Sequence, residues 1–309
     1  MNEKKCLLPE TKQHCHSLKY LLEQTYFNVH HIFIDGGDSN SFERCRSQDK
    51  RVTINGLKNE VTVSPFANDK SSTQLNYRCS LKIVNKNSTN RATLVFKNIK
   101  FENISLEFSN MYVIFTRVTF VHSSIKDRPG DFLDATLNNV LWRKGNHGIK
   151  NNIPRSLDIT HTKHVHINVS QSKLMDFSLV LHAEYFSVKF QSVNFYVSRI
   201  LNLLNITKKE SWFVVFNQLT FYKINIICVK NHDTLKYKNE VSLFQINTGS
   251  IAKFVLVNCT FVIAQQLILV ISKYERNHIS APEGIFINMT IKNCIFSSVA
   301  TSDSSMPSL

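Results

Sequence analysis

The sequence predicts an all-β chain wound as a right-handed parallel β-helix, a solenoid opened by a short N-terminal capping helix. Three observations carry this prediction. An eight-residue pattern recurs along most of the chain. Strand-like runs, and no long helical stripe, fill the intervals between its copies. Glycine is scarce, 8 in 309 residues. A sandwich or barrel of hairpins would want Gly-rich turns, and only Asn55-Gly56 fits one.

Residues 1–13 read as a flexible N-terminus. Residues 14–40 read as the cap. Ser17 can N-cap a helix over residues 17–27, with Leu18, Leu21, Leu22 and Tyr26 as its apolar stripe. His30 to Asp35 then reads as a first strand and Gly36-Gly37 as its turn. Residues 41–297 form the coil, and the Ser-rich stretch 298–309 reads as a disordered tail.

Within the coil the pattern is apolar, any, apolar, two mostly polar, apolar or Cys, any, aromatic. Copies end at Phe101, Phe120, Trp142, Phe195, Phe221, Phe261 and Phe296. The alternation before the polar pair is a strand with one face buried, the pair is a bend, and a second strand follows. The closest copies lie about 19, 22 and 26 residues apart, and a longer gap holds a degenerate copy near Val165 to Ser172. Further strand-like runs lie between them, at Ile104 to Phe108, Phe177 to His182, Ile200 to Ile206, Val241 to Ile246 and Leu267 to Ile271. Equivalent residues of successive turns stack about 4.8 Å apart, so a recurrent ring builds an interior aromatic stack. Cys259 and Cys294 share one repeat position and are expected inside the coil as packed thiols rather than catalytic ones. The charge-free run Phe254 to Ser272 contains Asn258, Thr260, Gln265 and Gln266; it reads as two buried strands and a turn rather than a membrane helix.

The segment Cys15-His16-Ser17-Leu18-Lys19-Tyr20-Leu21-Leu22, the Gly36-Gly37 pair, and units such as Asn258-Cys259-Thr260-Phe261 and Asn293-Cys294-Ile295-Phe296 carry a resemblance. Together they resemble the right-handed parallel β-helix (pectin-lyase-like) ectodomains of invertebrate surface proteins. Those ectodomains are similar in turn to polymorphic outer-membrane proteins and, in fold only, to pectate lyases. The resemblance covers roughly Cys15 to Phe296 and implies an extracellular or cell-surface location. It brings no catalytic motif.

Compartment signals in the residues themselves are divided. No apolar run follows Met1 to Glu10, so the chain reads either as an incomplete precursor or as an internal protein. Six N-glycosylation sequons occur, at Asn87, Asn103, Asn168, Asn205, Asn258 and Asn288, but composition alone yields roughly five. Cys6, Cys15, Cys45 and Cys79 could staple the N-terminal quarter, and Cys228 joins Cys259 and Cys294 in apolar strand contexts.

Chemistry is sparse. The best acid cluster is Asp127, Asp131 and Asp134 beside Arg128, and it reads as a solvated turn projecting from the coil. The Asn-Thr-Asp, Asp-Asp and Gly-His-Gly motifs that resemblance to pectin hydrolases would require are absent. His164 and His166 should share the outer face of a strand whose Val165 and Ile167 point inward, with His147 and His161 nearby. Two such His residues can touch a metal, but structural sites need about four ligands. The net charge of +14 comes mainly from dispersed Lys and shows no Arg-rich reading module.

These readings converge on a non-enzymatic extracellular or cell-surface domain for recognition, adhesion or spacing. Its expected partner is a protein or an anionic glycan. No nucleic acid and no cofactor are expected, and membrane association is expected only through parts outside this chain. The alternative is a β-helix polysaccharide lyase or glycoside hydrolase.

Overall fold

The computed structural model describes residues 31–34, 51–54, 60–65, 75–77, 81–86, 92–143, 156–197, 203–208, 217–228, 242–247, 253–263, 267–272 and 288–298. They form 28 strands in three sheets, sheet A of ten strands and sheets B and C of nine each, and from the third strand on each sheet takes every third strand in chain order. Neighbours within a sheet pair in parallel, as Met111–Thr116 does with Gly130–Asn138. This is a right-handed parallel β-helix, the hand that parallel crossovers favour. The capping helix at residues 17–27 and the expected boundaries at 13/14 and 40/41 lie outside the described residues, while the last described strand, Ile295–Ser298, runs one residue past the expected end of the coil at 297. The first strand is present as His31–Ile34, paired with Val61–Pro65.

One turn of the coil shows how sequence dictates the winding. Ala92–Lys97 lies in sheet A, Ile99–Glu102 in sheet C and Ser105–Ser109 in sheet B. Met111–Thr116 then returns to sheet A one layer on. Its alternately buried and half-exposed residues place Met111, Val113 and Phe115 inside.

On eight successive turns the corner between sheets A and C is a single left-handed residue: Asn98, Arg117, Asn139, Ser192, Lys223, Asn258 and Asn293 have φ between 52° and 56°, and Gln171 has 49°. Asn tolerates this region better than most residues, which is why the bends are rich in Asn. The corner does not interrupt the backbone ladder. Asn98 N–H donates to Thr116 O at 3.1 Å, Arg117 N–H to Asn138 O at 3.0 Å, and Asn139 N–H to Ser170 O at 3.0 Å. The chain can therefore turn sharply without leaving a buried amide unpaired.

The inward residues make one continuous core along the coil. In sheet C, one in-register column runs Phe101, Phe120, Trp142, Leu174, Phe195, Ile226, Phe261, Phe296. Its rings stack face to face where they are consecutive: Phe101 to Phe120 at 5.4 Å and 20°, and Phe120 to Trp142 at 4.2 Å and 23°.

Phe221 is an interior ring, stacked on Phe190 at 5.1 Å and 8°, but it stands in a different column from the others. It lies in the sheet A column, in register with Phe190 and Leu256. The copy that ends its turn is Leu219 to Ile226, and Ile226 takes the place of the ring. Val214 to Phe221 imitates the pattern five residues early. The degenerate copy is likewise centred later than expected, on Ile167 to Leu174.

The run Phe254 to Ser272 contributes three strands rather than two. They are Lys253–Val257, Thr260–Ile263 and Leu267–Ser272, one in each sheet. Among the described residues no helix is long and apolar enough to cross a membrane. In the last described turn the inward positions of Met289, Ile291 and Phe296 are 41%, 52% and 50% exposed. Phe296 still stacks on Phe261 at 4.8 Å and 10°.

Candidate functional site

The outer face of sheet A gathers most of the chemistry that the sequence pointed to. Val165 and Ile167 are buried, and His164 and His166 are exposed on the same strand, Thr162–Ser170. Register aligns Phe132, His164 and Tyr185 on three successive turns, with Tyr112, Asp134 and His166 aligned beside them. His164 stacks on Tyr185 with centroids 4.8 Å apart and 16° between planes. Tyr112 meets Phe132 at 5.4 Å. The result is an outward ridge of rings, half-exposed to exposed, across adjacent turns.

The acids do not form a catalytic pair. Asp131 lies 3.3 Å from Lys163 Nζ. Asp134 Oδ2 accepts a hydrogen bond from His166 Nδ1 at 3.0 Å. Arg128 turns away to Glu107, Nε to Oε2 at 2.6 Å.

Asp127 has left the surface altogether, its side chain 0% exposed. Its carboxylate accepts backbone N–H bonds from Thr160 at 2.9 Å, His161 at 2.6 Å and Thr162 at 2.6 Å, and lies 3.2 Å from His161 Nδ1. The expected solvated, projecting turn is thus corrected. Asp127 ends one strand, Gly130 begins the next, and the carboxylate staples the following turn into place.

Gly130 suits this corner because an added Cβ would meet Ser109 Oγ at 2.6 Å and Asn110 Oδ1 at 2.7 Å. Asn110 Oδ1 in turn accepts the Asp131 N–H at 2.7 Å. Among the described residues no group of three or more His, Cys, Asp or Glu is placed to hold a metal.

Asp134 raises the His166 pKa above its ordinary value, first through the hydrogen bond and then through its charge, against a lowering by burial. A raised folded-state pKa adds stability below the unfolded value near 6.5, and this is lost as pH rises through the folded value. His166 is half exposed, so solvent screens most of that gain. Titration of the imidazole by NMR should show a midpoint above about 6.5, and Asp134→Asn should bring it back down. An unchanged midpoint in that variant would remove Asp134 as the cause.

Charge on this face is one-sided. The sheet A strands contribute Lys97, Lys163, Lys189, Lys253 and Lys292, half-exposed or exposed, against only Asp131 and Asp134, both already paired. Counting outward positions strand by strand would have found Lys97, Lys189, Lys253 and Lys292; Lys163 falls at an inward position by alternation and is exposed at the strand start, paired with Asp131. The whole-chain charge does not reveal them, because it averages them with every other surface.

The sequons fall in different settings. Asn103 and Asn258 are exposed left-handed corner residues, and Asn288 is exposed at a strand start. Asn168 and Asn205 are half-buried within strands, and Asn87 lies outside the described residues. His147 also lies outside them. No family model, no curated protein and no solved structure matches the chain.

Proposed function

We propose that this chain is a non-enzymatic extracellular or cell-surface recognition domain, of the β-helix ectodomain kind, and that it holds an anionic glycan or acidic protein on the outer face of sheet A. The observation that carries the reading is the combination of four outward lysines, Lys97, Lys189, Lys253 and Lys292, with a ridge of rings on the outer face of sheet A. The cations are distributed along the coil axis on several turns of one face, which suits an extended polyanion. Rings give apolar contact area between the charges. The carboxylates favour binding over bond cleavage, since each is engaged by a cation or by backbone amides.

The test is retention on immobilised heparin at low ionic strength. The chain should bind and should elute with modest salt, because exposed charges are screened beyond about 10 Å at 0.1 M. Lys189→Glu with Lys253→Glu should elute markedly earlier while thermal stability holds. No retention, or retention indifferent to both salt and these substitutions, would sink the proposal.

A further inference from the structure

We propose that Cys259 and Cys294 are a thiol pair that closes to a disulfide, covalently fastening the last described turn to the one before it. The two residues occupy the same corner position on successive turns, just after the left-handed Asn258 and Asn293. Register fixes them on both sides, by Val257 against Lys292 and Thr260 against Ile295. The Ile295 N–H donates to the Cys259 carbonyl at 2.8 Å, so the backbones touch at this point. Neighbouring parallel strands lie about 4.8 Å apart, inside the roughly 4.4–6.8 Å Cα separation that a disulfide accepts. The side chains are aligned as well. Each thiol leans back on the carbonyl two residues earlier, Cys259 Sγ on Val257 O at 3.3 Å and Cys294 Sγ on Lys292 O at 3.4 Å.

Their environments differ in a way that orders the chemistry. Cys259 is fully buried and Cys294 is partly open. Burial is the main cause that pushes the Cys259 thiol up to about 11. The co-reactant is a small-molecule disulfide. The Cys294 thiolate attacks one of its sulfurs, forming a mixed disulfide and releasing one small thiolate. Cys259 then loses its proton and attacks Cys294 Sγ, releasing the second. The small disulfide is reduced to two thiols, which take up the two protons, and the protein pair is oxidised to one cystine. Because the second step needs Cys259 deprotonated, closure should accelerate as pH rises.

The pair is not needed for packing. Val118, Val140, Val193 and Ile224 hold the equivalent corner on other turns and are buried there. This supplies the control, since Cys259→Val and Cys294→Val should fold.

The experiment treats the intact chain with oxidised glutathione, quenches with iodoacetamide and maps peptides by mass spectrometry. The expected product is a Cys259–Cys294 cystine. Cys259→Val should instead accumulate glutathione on Cys294. Oxidation should slow proteolysis of the 288–298 turn by roughly tenfold in the native chain, reversibly with a reductant, and not at all in the double Val variant. Two results would overturn the proposal: a glutathione adduct on Cys294 that persists in the native chain, or both thiols alkylated after prolonged oxidation.

Discussion

Phe120→Ala should cost about 3–5 kcal/mol of stability, the range for truncating a large ring in a core that cannot collapse. Phe120 is wholly buried and lies between Phe101 and Trp142, 5.4 Å and 4.2 Å away, with Phe115 edge-on at 5.2 Å. Removing it empties one storey of the stack. The neighbours are held by backbone ladders above and below, so the turns cannot slide together to fill the gap. Each lost ring pair adds about 0.5–1.5 kcal/mol to the burial contribution. The matching substitution at the end of the same column, Phe296→Ala, removes a ring that is 50% exposed and has one stacked neighbour. It should cost no more than about 1.5 kcal/mol. Urea midpoints for the two variants test this. Equal losses would mean that position within the column does not set the energetics.

Asp127→Ala should be nearly as damaging, by about 3–5 kcal/mol, for an electrostatic rather than a packing reason. Three amides, of Thr160, His161 and Thr162, converge on one carboxylate with no exposed side-chain area. Truncation leaves those donors without their acceptor beside a buried Thr162. Asp127→Asn keeps one carbonyl oxygen but turns the other atom into a donor, so its loss should be intermediate, about 1–3 kcal/mol. Hydrogen exchange at residues 160–162 is the direct readout, and it should speed up in both variants, more in the Ala form. Unchanged protection there would mean that the carboxylate is not what holds the corner.

These two residues also show what was legible in the sequence. Phe120 was legible because an inward column repeats its residue type at each turn, so the ladder can be read by counting. The count slips only where the column changes residue, at Leu174 and Ile226, and where Val214 to Phe221 imitates the pattern. Asp127 was not legible. Its partners are backbone amides about 33 to 35 residues away, and an amide carries no side-chain signature. The same distance hides the Asp134–His166 pair, 32 residues apart. His164 and His166 were readable as outward because strand alternation is local. Their neighbours Tyr112, Phe132 and Tyr185 were not, since only the register between turns brings them together. Corner residues such as Arg117, Gln171 and Lys223 lie outside sequence reach for another reason. They accept the left-handed conformation because the ladder on both sides fixes it, not because their own chemistry prefers it.

The unbroken ladder through the corners has a mechanical consequence. Among the described strands the inter-turn backbone hydrogen bonds point along the coil axis, so tension applied to the two ends loads one turn at a time, in peeling rather than in shear. Measured along sheet A, the turns hold unequal lengths of chain, from about 19 residues between Leu94 and Val113 to about 35 between Phe254 and Met289. At roughly 3.4 Å per extended residue, each release lengthens the chain by about 65 to 120 Å. Under load such a domain would yield stepwise as an extensible tether, dissipating force turn by turn while the remaining coil keeps its outer face intact.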